Sequence, residues 1–408
     1  MNKLNYIMLI SVLLLLLSCH KKSPSEPPNE NIHPQVDIPW PSLADSPWPM
    51  FHHDPQSTGR SQYYGPKKGE IKWKFKTGGA IYSAITIGSD STIYFGSCYE
   101  GKNQDSFLYA LYPNGILKWK LKLGLGPESQ PLIAADGTIF IAGKELYSIN
   151  PDGSLKQKVN LGNAISPFLN IGLDGTLYLV VDQHLIAINQ QFGILWKIYQ
   201  NNGFIVHNFP FSPDGKVLYV FNYLDSLYHF ALFAIEANTG EIRWTFPIDD
   251  IITQLQIIPP SVDSDGNIYF GAHGGLSDKS GFYAVNDKGE KIWFYSSNPT
   301  SEPAIDSNGR IYFQENFGII SIDLLGNLRW KKESEIHFTA SICDRDNTLY
   351  FCTPKYVYAY SENGDLVWQI PLEGNITRIS PPAIGKDNTM YVGTFNSPLS
   401  DSWFYAIQ

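Results

Sequence analysis

Apolar and polar residues alternate along this chain in short runs, and the runs recur in a fixed order. A unit opens with an apolar run and turns at an Asp/Asn/Gly cluster. It then continues into a second run rich in β-branched and aromatic residues, as in Pro131-Leu-Ile-Ala-Ala-Asp-Gly-Thr-Ile-Phe140 and Ala304-Ile-Asp-Ser-Asn-Gly-Arg-Ile-Tyr-Phe313. Period-two runs bounded by such turns predict antiparallel hairpins. The second half of the unit is a Tyr-Ala run, a Gly turn and a run ending in Trp: Phe107-Leu-Tyr-Ala-Leu-Tyr-Pro-Asn-Gly-Ile-Leu-Lys-Trp119, or Tyr356-Val-Tyr-Ala-Tyr-Ser-Glu-Asn-Gly-Asp-Leu-Val-Trp368. Four strands per unit make one propeller blade.

The tryptophans mark the units: Trp73, Trp119, Trp196, Trp244, Trp293, Trp330 and Trp368, with Gln157 where an eighth would fall. Their role is packing, one large ring per blade filling the wedge between neighbouring sheets. The last unit stops at Trp403-Phe-Tyr-Ala-Ile-Gln408, before its Gly turn and Trp; the missing piece stands near the front, as Glu70-Ile-Lys-Trp73-Lys-Phe-Lys76. The expected fold is an all-β, eight-bladed β-propeller closed by an N-terminal strand that completes the last blade. The first-to-third strand sets are expected near 84–111, 131–149, 165–188, 208–235, 260–285, 303–322, 340–360 and 382–407. Aromatic residues are 14% of the chain, and no long helical period occurs outside the N-terminus.

The N-terminus departs from this pattern. A short basic start precedes Ile7-Met-Leu-Ile-Ser-Val-Leu-Leu-Leu-Leu-Leu-Ser-Cys19, too short to span a bilayer and fitted to a secretion signal. Leu16-Leu-Ser-Cys19 resembles the bacterial lipobox, which implies cleavage and acylation at Cys19. The expected organisation is a lipoprotein signal peptide (1–19), a disordered tether rich in Pro, Ser, Asn and Glu (20–47) and a propeller (48–408). His20-Lys21-Lys22 brings no Asp after the Cys, which disfavours retention in the inner membrane. The expected location is therefore the outer membrane, on either its periplasmic or its surface face.

Charge narrows the partners. The formal net charge is −9, and no Lys/Arg block is long enough to track a nucleic acid, so nucleic acid is not an expected partner. Three thiols remain after Cys19. The hairpin turn is expected to pair Cys343 with Thr348, which leaves Cys352 four residues along the strand, beyond disulfide reach. Buried, unpaired thiols are expected.

Propellers bind ligands where loops lead into the innermost strands. Those positions here include Gln130, His207, Gln256, Glu302, His337 and Arg378. They make either a polar funnel for a peptide edge or small polar ligand, or a solvated rim. Catalytic motifs are absent, and no catalytic, cofactor or metal residues are assigned. His52-His53, read as extended, point to opposite faces and fit packing better than shared metal binding. Asp263-Ser-Asp-Gly-Asn267 aligns with the hairpin turns and lacks the Glu of a calcium loop.

Phe233-Ala-Ile-Glu-Ala-Asn-Thr-Gly-Glu-Ile-Arg-Trp244 resembles the tryptophan-docking motif of the pyrroloquinoline quinone (PQQ) repeat, with Glu236 in place of the usual Asp. The lead-in Trp48-Pro-Met-Phe-His-His-Asp-Pro-Gln-Ser-Thr-Gly-Arg60 also resembles that of bacterial propellers of this superfamily. The resemblance covers residues 48–408 and implies one of two branches. Quinoprotein dehydrogenases hold PQQ beneath a vicinal disulfide, with calcium; this chain has no adjacent cysteines, so PQQ with calcium is disfavoured and no cofactor is expected. The other branch includes the propeller lipoproteins of the outer-membrane β-barrel assembly machinery. It implies a monomeric, non-catalytic, lipid-anchored scaffold that binds envelope proteins, with a role in outer-membrane protein assembly. Two alternatives stand beside it: a PQQ-dependent redox protein, and a carbohydrate-binding surface propeller using Tyr99, Tyr223, Tyr228 and Trp403.

Overall fold

The computed structural model describes residues 32–408 except 82, 101–104, 125–129, 163–164, 200–207, 225–229, 249–255, 274–279, 317, 334–338, 375 and 397–401. His33–Gln408 forms one compact unit. Its regular elements are all strands, arranged in eight sheets that are the blades of a propeller. In chain order the blades span 86–123, 132–159, 165–199, 217–248, 256–296, 304–333, 342–371 and 376–407, numbered 1 to 8 below. In blade 4 the innermost strand shrinks to a single bridge, Phe211 to Leu218. Blade 5 starts earlier than expected, at Gln256, and blade 8 carries an additional inner strand, Ile376–Ile379.

Closure occurs as the sequence pattern demands. Ile71–Lys76 pairs antiparallel with Trp403–Ile407, placing Trp73 opposite Ala406 and Phe75 opposite Phe404. Phe404 in turn stacks on Phe95 of blade 1, with ring centroids 4.2 Å apart, so the closing sheet packs like any other blade. Ring closure removes the sheet edge that an open stack would expose.

The tryptophans explain the turn glycines. Each half-buried or buried indole N–H donates to a carbonyl in the turn that leads into the outer strand of the next blade. The pairs are Trp73 to Pro113 (2.9 Å), Trp119 to Pro151 (3.0 Å), Trp196 to Ala237 (2.8 Å), Trp244 to Asp287 (2.9 Å), Trp293 to Leu324 (2.8 Å), Trp330 to Glu362 (2.8 Å) and Trp368 to Pro66 (3.0 Å). The ring lies over a positive-φ glycine of that turn. A Cβ on Gly364 would stand 2.7 Å from Trp330, and one on Gly69 would stand 2.5 Å from Trp368. Gln157 makes the same bond to Gln191 (3.2 Å) without covering the turn. The left-handed residue there is Phe192 (φ 66°) rather than glycine, and its ring packs edge-on against Phe140.

Residues 33–47 correct the expected tether. They lie on the ring because Trp40 and Leu43 bury their side chains in the core formed by blades 2, 3 and 4. The Trp40 indole donates to the Ile171 carbonyl at 2.8 Å, and Leu43 bridges to Ala134. Residues 1–31 lie outside the described residues.

Cys98, Cys343 and Cys352 are all buried as thiols rather than disulfides. The register differs by one from that expected: Cys343 pairs with Leu349, and Thr348 instead receives the Asp344 amide in the turn. Cys352 is then three residues along the strand, about 10 Å away and still out of reach.

Candidate ligand-binding channel

The innermost strands line a central channel and leave amides facing the axis without a neighbouring strand. At the end formed by the hairpin turns between first and second strands, the chain itself supplies acceptors. Trp48 O receives Ile87 N of blade 1 (2.7 Å), and Pro49 O receives Ile133 N of blade 2 (2.9 Å). Pro55 O receives both Phe211 N before blade 4 (2.8 Å) and the Asn170 side-chain amide of blade 3 (3.3 Å). Gln56 O, Thr58 O and Gly59 O receive Val262 N, Ile305 N and Cys343 N of blades 5, 6 and 7, at 2.9, 2.9 and 2.8 Å. Residues 48–60 are therefore a plug that satisfies the inner edge of the ring.

This geometry corrects the reading of His52-His53 as extended. Both are left-handed, with φ of 54° and 79°, as is Ser57 at 59°. The reversal is locked by Gly59 N donating to His52 O (3.0 Å) and Thr58 N to Asp54 (3.0 Å). His52 lies in the ring interior, its Nε2 2.9 Å from the Ser341 carbonyl and its Nδ1 3.1 Å from Ser57 Oγ, which also receives the Asn208 amide at 2.6 Å. Because a carbonyl only accepts, Nε2 carries the proton and Nδ1 accepts from Ser57. Burial lowers the His52 pKa, outweighing the bond to Ser341, so the ring is neutral. Burial alone would raise Asp54, but bonds from His53 and Thr58 outweigh it and hold the carboxylate below its usual range.

At the opposite mouth the expected residues stand on separate blades. Gln130, at the start of blade 2, is buried, and its Oε1 has no hydrogen-bond partner. Gln256 opens blade 5, exposed, across from His273. Glu302 is half-buried before blade 6, and burial pushes its carboxyl up to about 7. Arg378 is exposed on the inner strand of blade 8, opposite Phe395. His207 and His337 lie outside the described residues.

Several neighbouring hydroxyls are structural. Ser83, Ser301 and Ser380 accept the amides of Gly96, Gln314 and Gly393, and Thr339 donates to the Cys352 carbonyl. Each pair is 13 residues apart. That spacing was a readable signal that these positions staple first strand to second rather than face a ligand. Among the described residues no group of three His, Cys, Asp or Glu is placed to hold a metal ion. The Asp263 carboxylate is filled by its own turn, accepting from the Asp265 and Asn267 amides, the Asn267 side chain and the Tyr269 hydroxyl. Of the aromatics considered for carbohydrate, Trp403 lies beneath Lys74 and Lys76, whose ammonium groups are 4.7 and 5.5 Å from its ring centroid. Tyr99 is exposed, Tyr223 packs at a tilt against Phe230, and Tyr228 lies outside the described residues.

One cleft was not foreseen. It has a volume of about 530 Å³ and lies where the outer strand of blade 1 meets blade 2, lined by Leu121, Lys122, Lys144, Glu145, Tyr147 and Lys158 among others. Glu145 accepts from Tyr147 (2.7 Å) and Lys158 (3.0 Å), tying the wall together.

A family model described as outer membrane protein assembly factor BamB matches residues 229–400. The ring is an eight-bladed propeller of the fold shared by BamB and the quinoprotein dehydrogenases. It superposes on a europium-containing methanol dehydrogenase with TM-score 0.66 and 11% identity, covering 89% of this chain and 98% of that one. BamB from Moraxella catarrhalis gives 0.59 and 11%, covering 83% and 99%. Quinohemoprotein alcohol dehydrogenase from Comamonas testosteroni gives 0.65 and 11%, covering 91% and 82%. No curated protein matches the sequence. At these identities the likeness to solved structures shows the fold alone.

Proposed function

We propose that the chain is a non-catalytic propeller, anchored through a lipid on Cys19 at the bacterial outer membrane, that serves as a protein-binding scaffold in outer-membrane protein assembly. The observation that carries this reading is the plug. Residues 48–60 fill one end of the channel with own-chain contacts to seven blades, so what the ring offers other molecules is its loop-bearing face and its outer strands. These surfaces suit protein partners better than a small reactant. The match of residues 229–400 to the BamB family model supports the choice of partner class.

The dehydrogenase neighbours favour a second reading, a PQQ site, which the described residues do not fit. PQQ is a flat polyanion, and its relatives' chemistry calls for cations, a metal-ligand cluster and a vicinal disulfide. Here the three thiols sit apart and buried, and the acid placed at the described mouth, Glu302, lies in an environment that opposes its charge. Crosslinking of the lipidated protein in native membranes, followed by identification of attached chains, tests the scaffold. Recovery of barrel-assembly components is expected, and their absence would overturn the assembly role. Titration with PQQ and calcium is expected to give neither saturable binding nor dye reduction; micromolar binding would replace the scaffold with the redox reading.

A further inference from the structure

A strap of chain, residues 33–44, precedes the plug. Residues 33–44 run beneath the turn end of the channel, tied to one inner hairpin turn after another. His33 N donates to Asn308 O (3.0 Å) and Gln35 N to Ser307 O (2.8 Å), both in the turn of blade 6. The Gln35 side chain accepts from Ser264 N (2.8 Å), and His33 Nε2 is 3.2 Å from Asp265, in the turn of blade 5. Arg60 of the plug clamps the strap through Asp37 (2.9 Å) and the Val36 carbonyl (3.1 Å). Further on, Trp40 reaches Ile171 of blade 3, and Ser42 and Ala44 bond Ala135 and Ile133 of blade 2. His33 is thus held close to the axis, against the inner turns of blades 5 and 6, on the face built from hairpin turns.

We propose that this turn face is apposed to the bilayer, and that the face carrying the loops between blades and between second and third strands points away from it. The inference rests on the lipid-anchor reading above and adds the orientation. Residues 20–32 number 13, and a chain of that length reaches at most about 45 Å. From the turn face a fraction of that reach is enough to meet the membrane. To present the other face, the tether must cross the remaining strands of a blade, about 15 Å, and climb an outer strand of six residues such as Leu328–Glu333, about 20 Å more, before clearing the loops. That path uses about 35 Å of the roughly 45 Å limit, so the inverted ring carries a steep loss of tether freedom. Five exposed acids of the turn face are paired in place, Asp90 with Lys118, Asp136 with Lys156, Asp214 with Lys216, Asp346 with Lys67 and Asp387 with Lys72, which lowers the charge that face presents.

The test uses full-length lipidated protein in vesicles carrying a headgroup-linked quencher, with a fluorophore on Lys216→Cys in the blade 4 turn or on Lys144→Cys in a hairpin of the opposite face. The native thiols are buried and stay unlabelled. Quenching at least about twofold stronger at position 216 is expected; equal or stronger quenching at 144 overturns the orientation. Inserting about 20 Gly/Ser residues between Ser25 and Glu26 is expected to erase the difference, and its persistence would show that tether length does not set the orientation. Cys19→Ser separates the two claims: vesicle flotation of that variant would sink the lipid anchor itself, whatever the quenching pattern.

Discussion

Replacing Gly69 with alanine tests ring closure at a single atom. Gly69 adopts φ +64° in the turn that precedes the closing strand, and the indole of Trp368 from blade 7 lies across it. A Cβ would meet Trp368 Cδ2 at 2.5 Å, nearly 1 Å inside ordinary contact. An L-residue in this backbone conformation costs about 1–2 kcal/mol. Displacing a packed ring adds about 1–3 kcal/mol, and losing the indole bond to the Pro66 carbonyl adds about 0.5–1.5 kcal/mol. Relaxation shares these terms, so the expected destabilisation is about 2–5 kcal/mol. Gly266→Ala is the matched control. Its φ is +89°, but the nearest atoms to a Cβ are 3.7 Å away, so only the backbone term of about 1–2 kcal/mol applies. Urea unfolding followed by tryptophan fluorescence reads both. If Gly69→Ala falls within about 0.5 kcal/mol of Gly266→Ala, the indole is not docked there, and the account of closure fails.

Other expectations follow from buried groups. His52 has a lowered folded pKa, so its contribution to stability is complete above about 6.5 and is lost as pH falls through that value towards the folded one. Melting curves between pH 7 and 5 should flatten in His52→Gln; an unchanged slope refutes the neutral buried ring. Glu302 is shifted the other way, to about 7, so the folded state keeps its proton between about 4.5 and 7; the stability lost accrues as pH rises through that window and is complete above it. Glu302→Gln should raise the melting temperature at pH 8 and leave it unchanged at pH 5, and the reverse pattern would rule out a desolvated carboxyl. Burial raises the Cys343 and Cys352 thiols well above their usual range. With Cys98 also buried, a thiol reagent should find no reactive thiol among these three in the native ring and all three after denaturation. Rapid labelling of the native protein would show that a blade opens.

Much of the ring was legible in the sequence because its determinants are local and repeated. Period-two runs specify strands, turn glycines specify hairpins, and a tryptophan per unit specifies how one sheet docks on the next. The split repeat announced closure, and even the exception at Gln157 could be read, since the indole and the glycine beneath it are lost together. The candidate site was less legible. Gln130 and Glu302 were named, whereas the staple role of Ser83, Ser301 and Ser380 shows only in their 13-residue spacing to Gly96, Gln314 and Gly393.

What only the tertiary structure decided is the use of residues 33–60. By composition the first part of that stretch reads as solvated tether, and His52-His53 reads as extended, because local propensity is all a sequence window reports. In the folded chain this segment meets acceptor-hungry amides from inner strands as far away as Cys343, and satisfying them outweighs the cost of consecutive left-handed residues. The sequence by itself determined the ring; which end is plugged, and by what, depends on contacts between residues up to hundreds of positions apart, which no periodicity encodes.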